Sequence, residues 1–193
     1  MTAIATQCCI VGGGPAGMML GFLLARAGVQ SVVLEKHGDF LRDFRGDTVH
    51  PSTLNVMDEL GLLDDFLKLP HQEVSRFGAQ FGEEHVQVAD FSHLPVRCGF
   101  IALMPQWDFL DFLAAQGKRY PAFSVVMHAE ATGLIEKGGK VVGVHATIDR
   151  KPQEIRADLV VGADGRHSTV RVGAGFDVKV LGAPMDVLWF RLT

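Results

Sequence analysis

Cysteine is scarce in this chain: three in 193 residues, two of them the neighbours Cys8 and Cys9. Such a set builds no disulfide framework, and no CxxC or Cys/His spacing points to zinc or any other metal. A reducing cytoplasm is the compartment that fits. Cationic excess is missing as well: with 18 Lys and Arg against 22 Asp and Glu, the net charge is -4. That leaves no basic field for nucleic acid or an anionic membrane. Long apolar runs are absent too, since no uninterrupted stretch reaches the roughly 20 residues of an integral membrane segment. The opening 27 residues are apolar and small, but they lack a basic leading segment and are broken by glycines and Pro15, unlike a secretion signal. There is no GxSxG elbow, no HExxH pair and no convincing nucleophile triad, so no catalytic side chain can be named. Internal repeats and low-complexity tracts are likewise missing.

What remains is the composition of a globular domain, 48% hydrophobic and 21% charged, with 22 glycines. The length suits one ordinary domain with a sizeable core. Its organising stretch is Gln7-Cys8-Cys9-Ile10-Val11-Gly12-Gly13-Gly14-Pro15-Ala16-Gly17, followed by an apolar helical run to Ala27 and a second apolar strand, Ser31–Leu34, that stops at Glu35. This order predicts a βαβ unit. Gly12 permits the tight turn out of the strand, Gly14 the close approach of a pyrophosphate, and Gly17 the packing of helix on strand. The anion would sit on free N–H groups at the positive end of the helix dipole. Glu35 lies 18 residues beyond Gly17, near the spacing of about 20 for an acidic residue that accepts from an adenosine ribose. NAD and FAD both satisfy that geometry. Cys8 and Cys9 are expected on opposite faces of the buried first strand, as small hydrophobes.

Beyond a polar linker, Pro51 suits a first helical position, and Leu54, Met57 and Leu60 recur at helical spacing until Gly61. A short helix over 63–67 ends before Pro70. From Val74 the period becomes two: Phe77, Ala79 and Phe81, a turn at Gly82-Glu83-Glu84, then Val86 and Val88, which predicts a hairpin. Residues 101–104 read as a strand entering Pro105-Gln106-Trp107-Asp108, and Phe109, Leu110, Phe112 and Leu113 form a helical apolar face. Three strands in meander are expected over 123–128, 141–148 and 155–161, with turns at 137–140 and 149–152. Residues 186–192 read as one more strand without a partner, which suggests an incomplete chain.

Three separated motifs then coincide. They are the extended glycine signature with Gly21, Ala25, Gly28 and Glu35; Arg45 before the Pro51 helix, paired with Met104-Pro105-Gln106; and Asp164-Gly165 with Ser168 and Arg171. Together they resemble the class A flavoprotein monooxygenases, the group containing para-hydroxybenzoate hydroxylase and the phenol- and ubiquinone-type hydroxylases. The resemblance covers nearly the whole length. It implies an α/β fold with a Rossmann-like FAD-binding βαβ unit, an inserted hairpin and meander, and the start of a substrate-domain sheet. The implied parts are an FAD-binding portion over 1–73, an inserted substrate-domain hairpin over 74–98, the FAD-binding portion continued over 99–175, and the start of the substrate-domain sheet over 176–193.

By that resemblance, Gly12, Gly14, Pro15, Ala16 and Gly17 hold the pyrophosphate, Glu35 the ribose and Lys36 the adenosine end. Arg45 and Gln106 hold the flavin side, and Asp164 anchors a loop serving FAD and the nicotinamide donor. The implied activity is hydroxylation of a small aromatic substrate, with FAD reduced by NAD(P)H and oxygen from O2 transferred through a flavin hydroperoxide. A flavin-dependent reductase or dehydrogenase on the same scaffold, and a truncated non-catalytic FAD-binding module, are the alternatives. The chain stops before the later Gly-Asp motif with which that family completes its FAD site. Plainer readings stand beside each assignment: Glu35 as a solvated strand end, Arg45 as a surface cation, Gln106 as a helix cap, Asp164 as an Asp-Gly turn, and His50 and His167 as idle loop histidines.

Overall fold

The computed structural model describes residues 4–41 and 46–182. The expected βαβ unit opens the chain as β1 (Ile4–Val11), α1 (Pro15–Arg26) and β2 (Ser31–Leu34). Helix α1 starts on Pro15, whose missing N–H costs nothing at a first helical position. It ends where Gly28 takes a φ of 82°, with Gly28 N donating to Ala25 O and Val29 N to Leu24 O. Next come β3 (Thr48–Val49), α2 (Pro51–Glu59) and α3 (Leu63–Phe66). The same logic closes α2, because Gly61 adopts a φ of 69°.

Strand β4 (Gln72–Val74) leads into the expected hairpin, β5 (Arg76–Phe81) and β6 (Glu84–Asp90). This pair forms a two-stranded sheet of its own, while β3 and β4 flank β7 (Ile101–Leu103) in a three-stranded one. Helix α4 (Gln106–Gly117) follows, then β8 (Phe123–Val126), β9 (Ala129–Lys137), β10 (Lys140–Ile148), β11 (Lys151–Gly162) and α5 (Thr169–Gly173).

The main sheet runs β8-β2-β1-β11-β10-β9. The first four strands are parallel; β10 and β9 continue antiparallel from β11. This corrects the expected meander in two ways. The strand beginning at Phe123 is no part of it, lying at the far edge beside β2, with Ser31 opposite Phe123. The third meander strand is instead β9, which the sequence pattern did not separate from its surroundings. Its residues, Ala-Glu-Ala-Thr-Gly-Leu-Ile-Glu-Lys, are mostly poor strand formers. The break from β8 falls at His128, a non-glycine residue at a φ of 51° that carries no turn signal. The strand expected over 186–192 lies outside the described residues.

Cys8 and Cys9 do point to opposite faces, each into its own core. Cys8 and Ile10 join Met18, Phe22, Leu54, Phe66 and Leu113; Cys9 and Val11 join Val32, Leu34, Ala131, Val144 and Ile155. Burial pushes the Cys9 thiol up to about 12, with Cys8 adding to the effect. A thiol so suppressed is no nucleophile at neutral pH.

Candidate functional site

The ends of β1, β2 and β11 converge on the glycine-rich turn. Gly12 N donates to Leu34 O at 2.9 Å, and Ala163 N donates to Val11 O at 2.7 Å. A Cβ on Gly12 would overlap the Ala163 carbonyl, and its φ of 108° disfavours any side chain. A Cβ on Gly17 would overlap the Gly12 carbonyl, so strand, turn and helix touch backbone to backbone. Gly14 differs: a Cβ there meets nothing within 4 Å. It caps α1 without any side-chain hydrogen bond, which leaves a concave opening at the positive end of the helix.

Pro15 and Ala16 form one wall of a cavity of about 270 Å³, also lined by Met19, Thr48, Val49, Thr53, Met104, Gln106 and Phe109. Gln106, the first residue of α4, does not cap that helix; its Nε2 donates to Gly46 O at 3.4 Å across the cavity mouth. Arg45 lies outside the described residues. Met19 packs on the core while also lining the cavity.

Glu35 is no solvated strand end. Its side chain is 13% exposed, Oε2 accepts from Gly13 N at 3.1 Å and Oε1 accepts from His37 N at 2.9 Å. The carboxylate thus leans on the glycine turn itself. Beyond it, Lys36 borders a second pocket of about 450 Å³, lined by His128, Glu130, Thr147, Asp149 and Arg150. The loop of His128 is tied to this end of β2, with Ala129 N donating to Glu35 O at 2.8 Å and His128 N to His37 O at 2.9 Å. Three non-glycine residues among those described have a φ above zero, His128, Asp149 and Arg150, and all three line this pocket. Apart from Lys36, none was legible as a site residue, because the pocket forms only when the β10–β11 turn meets the end of β2.

Asp164 turns inward. Its Oδ1 accepts from Ser168 Oγ at 2.5 Å, while Oδ2 accepts from Thr169 N at 2.6 Å and Val170 N at 3.3 Å. Ser168 Oγ in turn accepts from Arg171 N at 3.0 Å, and Arg171 Nη2 donates to Arg166 O at 2.5 Å. The loop after β11 is therefore locked onto α5, adjoining Gly12 through Ala163. His50 and His167 are exposed.

A family model described as an FAD binding domain matches residues 5–193. The chain belongs to this FAD-binding domain family. It is 33% identical over 189 residues to 6-methylpretetramide 4-monooxygenase of Streptomyces rimosus, matching 97% of this chain and 45% of that protein. It is 33% identical over 170 residues to a rifampicin monooxygenase of Streptomyces venezuelae, matching 84% of this chain and 32% of that one. Among solved structures, the anhydrotetracycline hydroxylase of Streptomyces rimosus superposes with a TM-score of 0.77 at 27% identity, over 90% of this chain and 34% of the hydroxylase. The p-nitrophenol 4-monooxygenase of Pseudomonas putida gives 0.77 at 25% identity, over 91% of this chain and 44% of that one. The FAD-binding domain thus spans less than half the length of these relatives. Its open helix end, free of any side chain at Gly14, fits the diphosphate of such a cofactor. No helix among the described residues is long and apolar enough to cross a membrane.

Proposed function

We propose that this chain is the FAD-binding part of a monooxygenase that uses NAD(P)H and O2 to hydroxylate a small aromatic substrate. The observation that carries the reading is the uncapped, glycine-led end of α1, which opens beside a cavity that Gln106 borders from the opposite side. In this reading Gly12, Gly14, Pro15, Ala16 and Gly17 form the diphosphate cradle, Glu35 receives the ribose, and the adenosine end extends toward Lys36. Arg45 supplies fixed charge and Gln106 an uncharged donor on the flavin side. Asp164 acts at one remove, by holding its loop against the cradle. FAD, when bound, supplies the redox and oxygen chemistry.

The same reading assigns residues 1–73 and 99–175 to the FAD-binding portion, and residues 74–98 and 176–193 to a substrate-facing sheet. The separate pairing of β5 with β6 supports that division. The three free, buried thiols support a reducing cytoplasm. The names of the four relatives above, each a monooxygenase or hydroxylase, support the reaction class.

Titration of the purified chain with FAD tests the cofactor assignment: binding with a perturbed flavin spectrum is expected, and Gln106→Ala weakens it by about tenfold, the loss of one buried hydrogen bond to the ligand. No uptake of FAD would overturn it. For the activity, the product of the complete gene should consume O2 and NAD(P)H faster with an aromatic effector present. Flavin reduction without productive O2 consumption would transfer the assignment to a reductase.

A further inference from the structure

The pocket beside Lys36 gathers the non-glycine residues of the described fold that take a positive φ: His128 at 51°, Asp149 at 47° and Arg150 at 65°. Asp and His tolerate this region better than most residues; arginine does not. Ile148 pairs with Lys151, so Asp149 and Arg150 are the two central residues of a tight hairpin turn between β10 and β11. With both at positive φ, this is the turn in which glycine is the unstrained choice for the second position, and this chain puts Arg150 there. Strain kept at a concave site points to a function for the side chain that imposes it. The turn is also fastened from across the pocket: Asp149 N donates to His128 O at 3.2 Å and Ala129 N to Glu35 O at 2.8 Å, while a Cβ on Gly38 would overlap the His128 ring. The pocket is thereby built onto the strand end that carries Glu35.

Four charged side chains line it, Lys36 and Arg150 against Glu130 and Asp149. Among the described residues, none of the four forms a hydrogen bond or ion pair through its side chain. The balance of two cations against two carboxylates decides what they suit. A phosphate would meet as many repelling groups as attracting ones, so the pocket is no anion site. A flat, neutral group that both donates and accepts finds a partner in each: carboxylates accept from an exocyclic amino group, an ammonium donates to ring nitrogens, and a guanidinium plane lies against a ring face. Adenine is such a group. In FAD it is joined to the ribose that the cofactor reading gives to Glu35, the neighbour of Lys36. At about 450 Å³ the pocket has room for a purine.

We propose that the β10–β11 turn reads the adenine of FAD, with Arg150 against the face of the base and Glu130 and Asp149 accepting from its amino group. This role rests on FAD lying in the cradle as proposed above, and it adds a specificity for adenine over other purines. A base with a carbonyl in place of the amino group would set acceptor against acceptor and leave the carboxylates without a donor.

Titration of the flavin-free chain with FAD, read by flavin fluorescence, tests this alongside urea unfolding of the same variants. Arg150→Gly is expected to raise the unfolding midpoint, because glycine takes a positive φ without strain, while it weakens FAD binding about tenfold. Stability and affinity then move in opposite directions, which a merely bracing role for Arg150 does not produce. ADP is expected to displace FAD at about tenfold or more lower concentration than inosine diphosphate, whose base carries the carbonyl. Asp149→Asn with Glu130→Gln, whose amides also donate, should narrow that ratio. An FAD affinity unchanged in Arg150→Gly overturns the proposal, and so does a midpoint that falls together with the affinity. Equal displacement by the two diphosphates, or a ratio that the double variant leaves as it was, overturns it as well. In each of these cases FAD is still bound and still weakened by Gln106→Ala, whereas a chain that takes up no FAD overturns the cofactor assignment too.

Discussion

The turns that leave β1 and β11 lie side by side, each leading into a helix, yet their polar groups are arranged in opposite ways. After β11, Asp164 and Ser168 between them accept from Thr169 N, Val170 N and Arg171 N, so the start of α5 is closed by its own side chains. After β1, Gly14 offers α1 no side-chain acceptor, and space opens over it. One helix end is complete in itself; the other is available to an external anion. The difference shows how two glycine-containing turns of similar appearance can diverge, one closed onto its own helix and the other left open, as the proposed cofactor site requires.

The largest blow to this arrangement should come from Gly17→Ala. Its methyl group would overlap the Gly12 carbonyl, a backbone atom with no room to yield. Overpacking of this kind costs about 3 kcal/mol or more, to be seen as a lowered denaturant midpoint. An unchanged midpoint would mean that the β1 turn is looser than described. Asp164→Ala should come next, because three donors lose their acceptor at once. A loss of about 2 kcal/mol is expected from the missing cap, with faster amide exchange in α5 as the local sign.

Gly14→Ala sharpens the contrast, since its Cβ has free space and its φ of -73° suits any residue. Stability should stay within about 0.5 kcal/mol, while FAD affinity falls about tenfold or more because the methyl group stands where the diphosphate must approach. If both quantities are unchanged, the open end of α1 is not where the cofactor lies.

Asp90, at the root of the hairpin, serves as a comparison remote from both turns. Hydrogen bonds from the Ser92 hydroxyl and backbone hold its carboxyl down at about 2. A folded value below the unfolded one of about 4 means a contribution present above pH 4 and lost as the pH falls toward 2. Carboxyl titration by NMR should find that low midpoint, and Asp90→Asn should remove this part of the acid dependence without touching FAD binding.

Much of this was legible from local pattern. The glycine turn, α1, α2 and the β5–β6 hairpin are specified by residues within a few positions of one another, through Pro15, Pro51, Gly28, Gly61 and the alternation around Gly82. Strand β9 was not legible, because Ala, Glu, Gly and Lys carry little strand preference and its place comes from pairing with β10. The partner of β8 was misjudged for a related reason: nothing near Phe123 tells whether the strand continues a meander or returns to β2. Of the site, the cradle and Glu35 were visible as a motif. The Glu35 contact with Gly13 and the pocket around His128 and Arg150 were not, since each joins segments distant in the chain, while the capping by Asp164 is local but an Asp-Gly pair reads equally as a plain turn.

The amino-acid order alone thus determined the local units: where helices start and stop, where the chain must turn through a left-handed glycine, and which short stretch can bring its amides near a diphosphate. Those properties rest on backbone sterics and on periods of two or four residues. Only the tertiary structure decided which strand lies beside which, that the ends of β1 and β11 meet so closely that Gly12 tolerates no side chain, and that the β10–β11 turn reaches the end of β2. Such outcomes follow from the packing of two separate cores on either side of one sheet, a condition no local window of sequence contains.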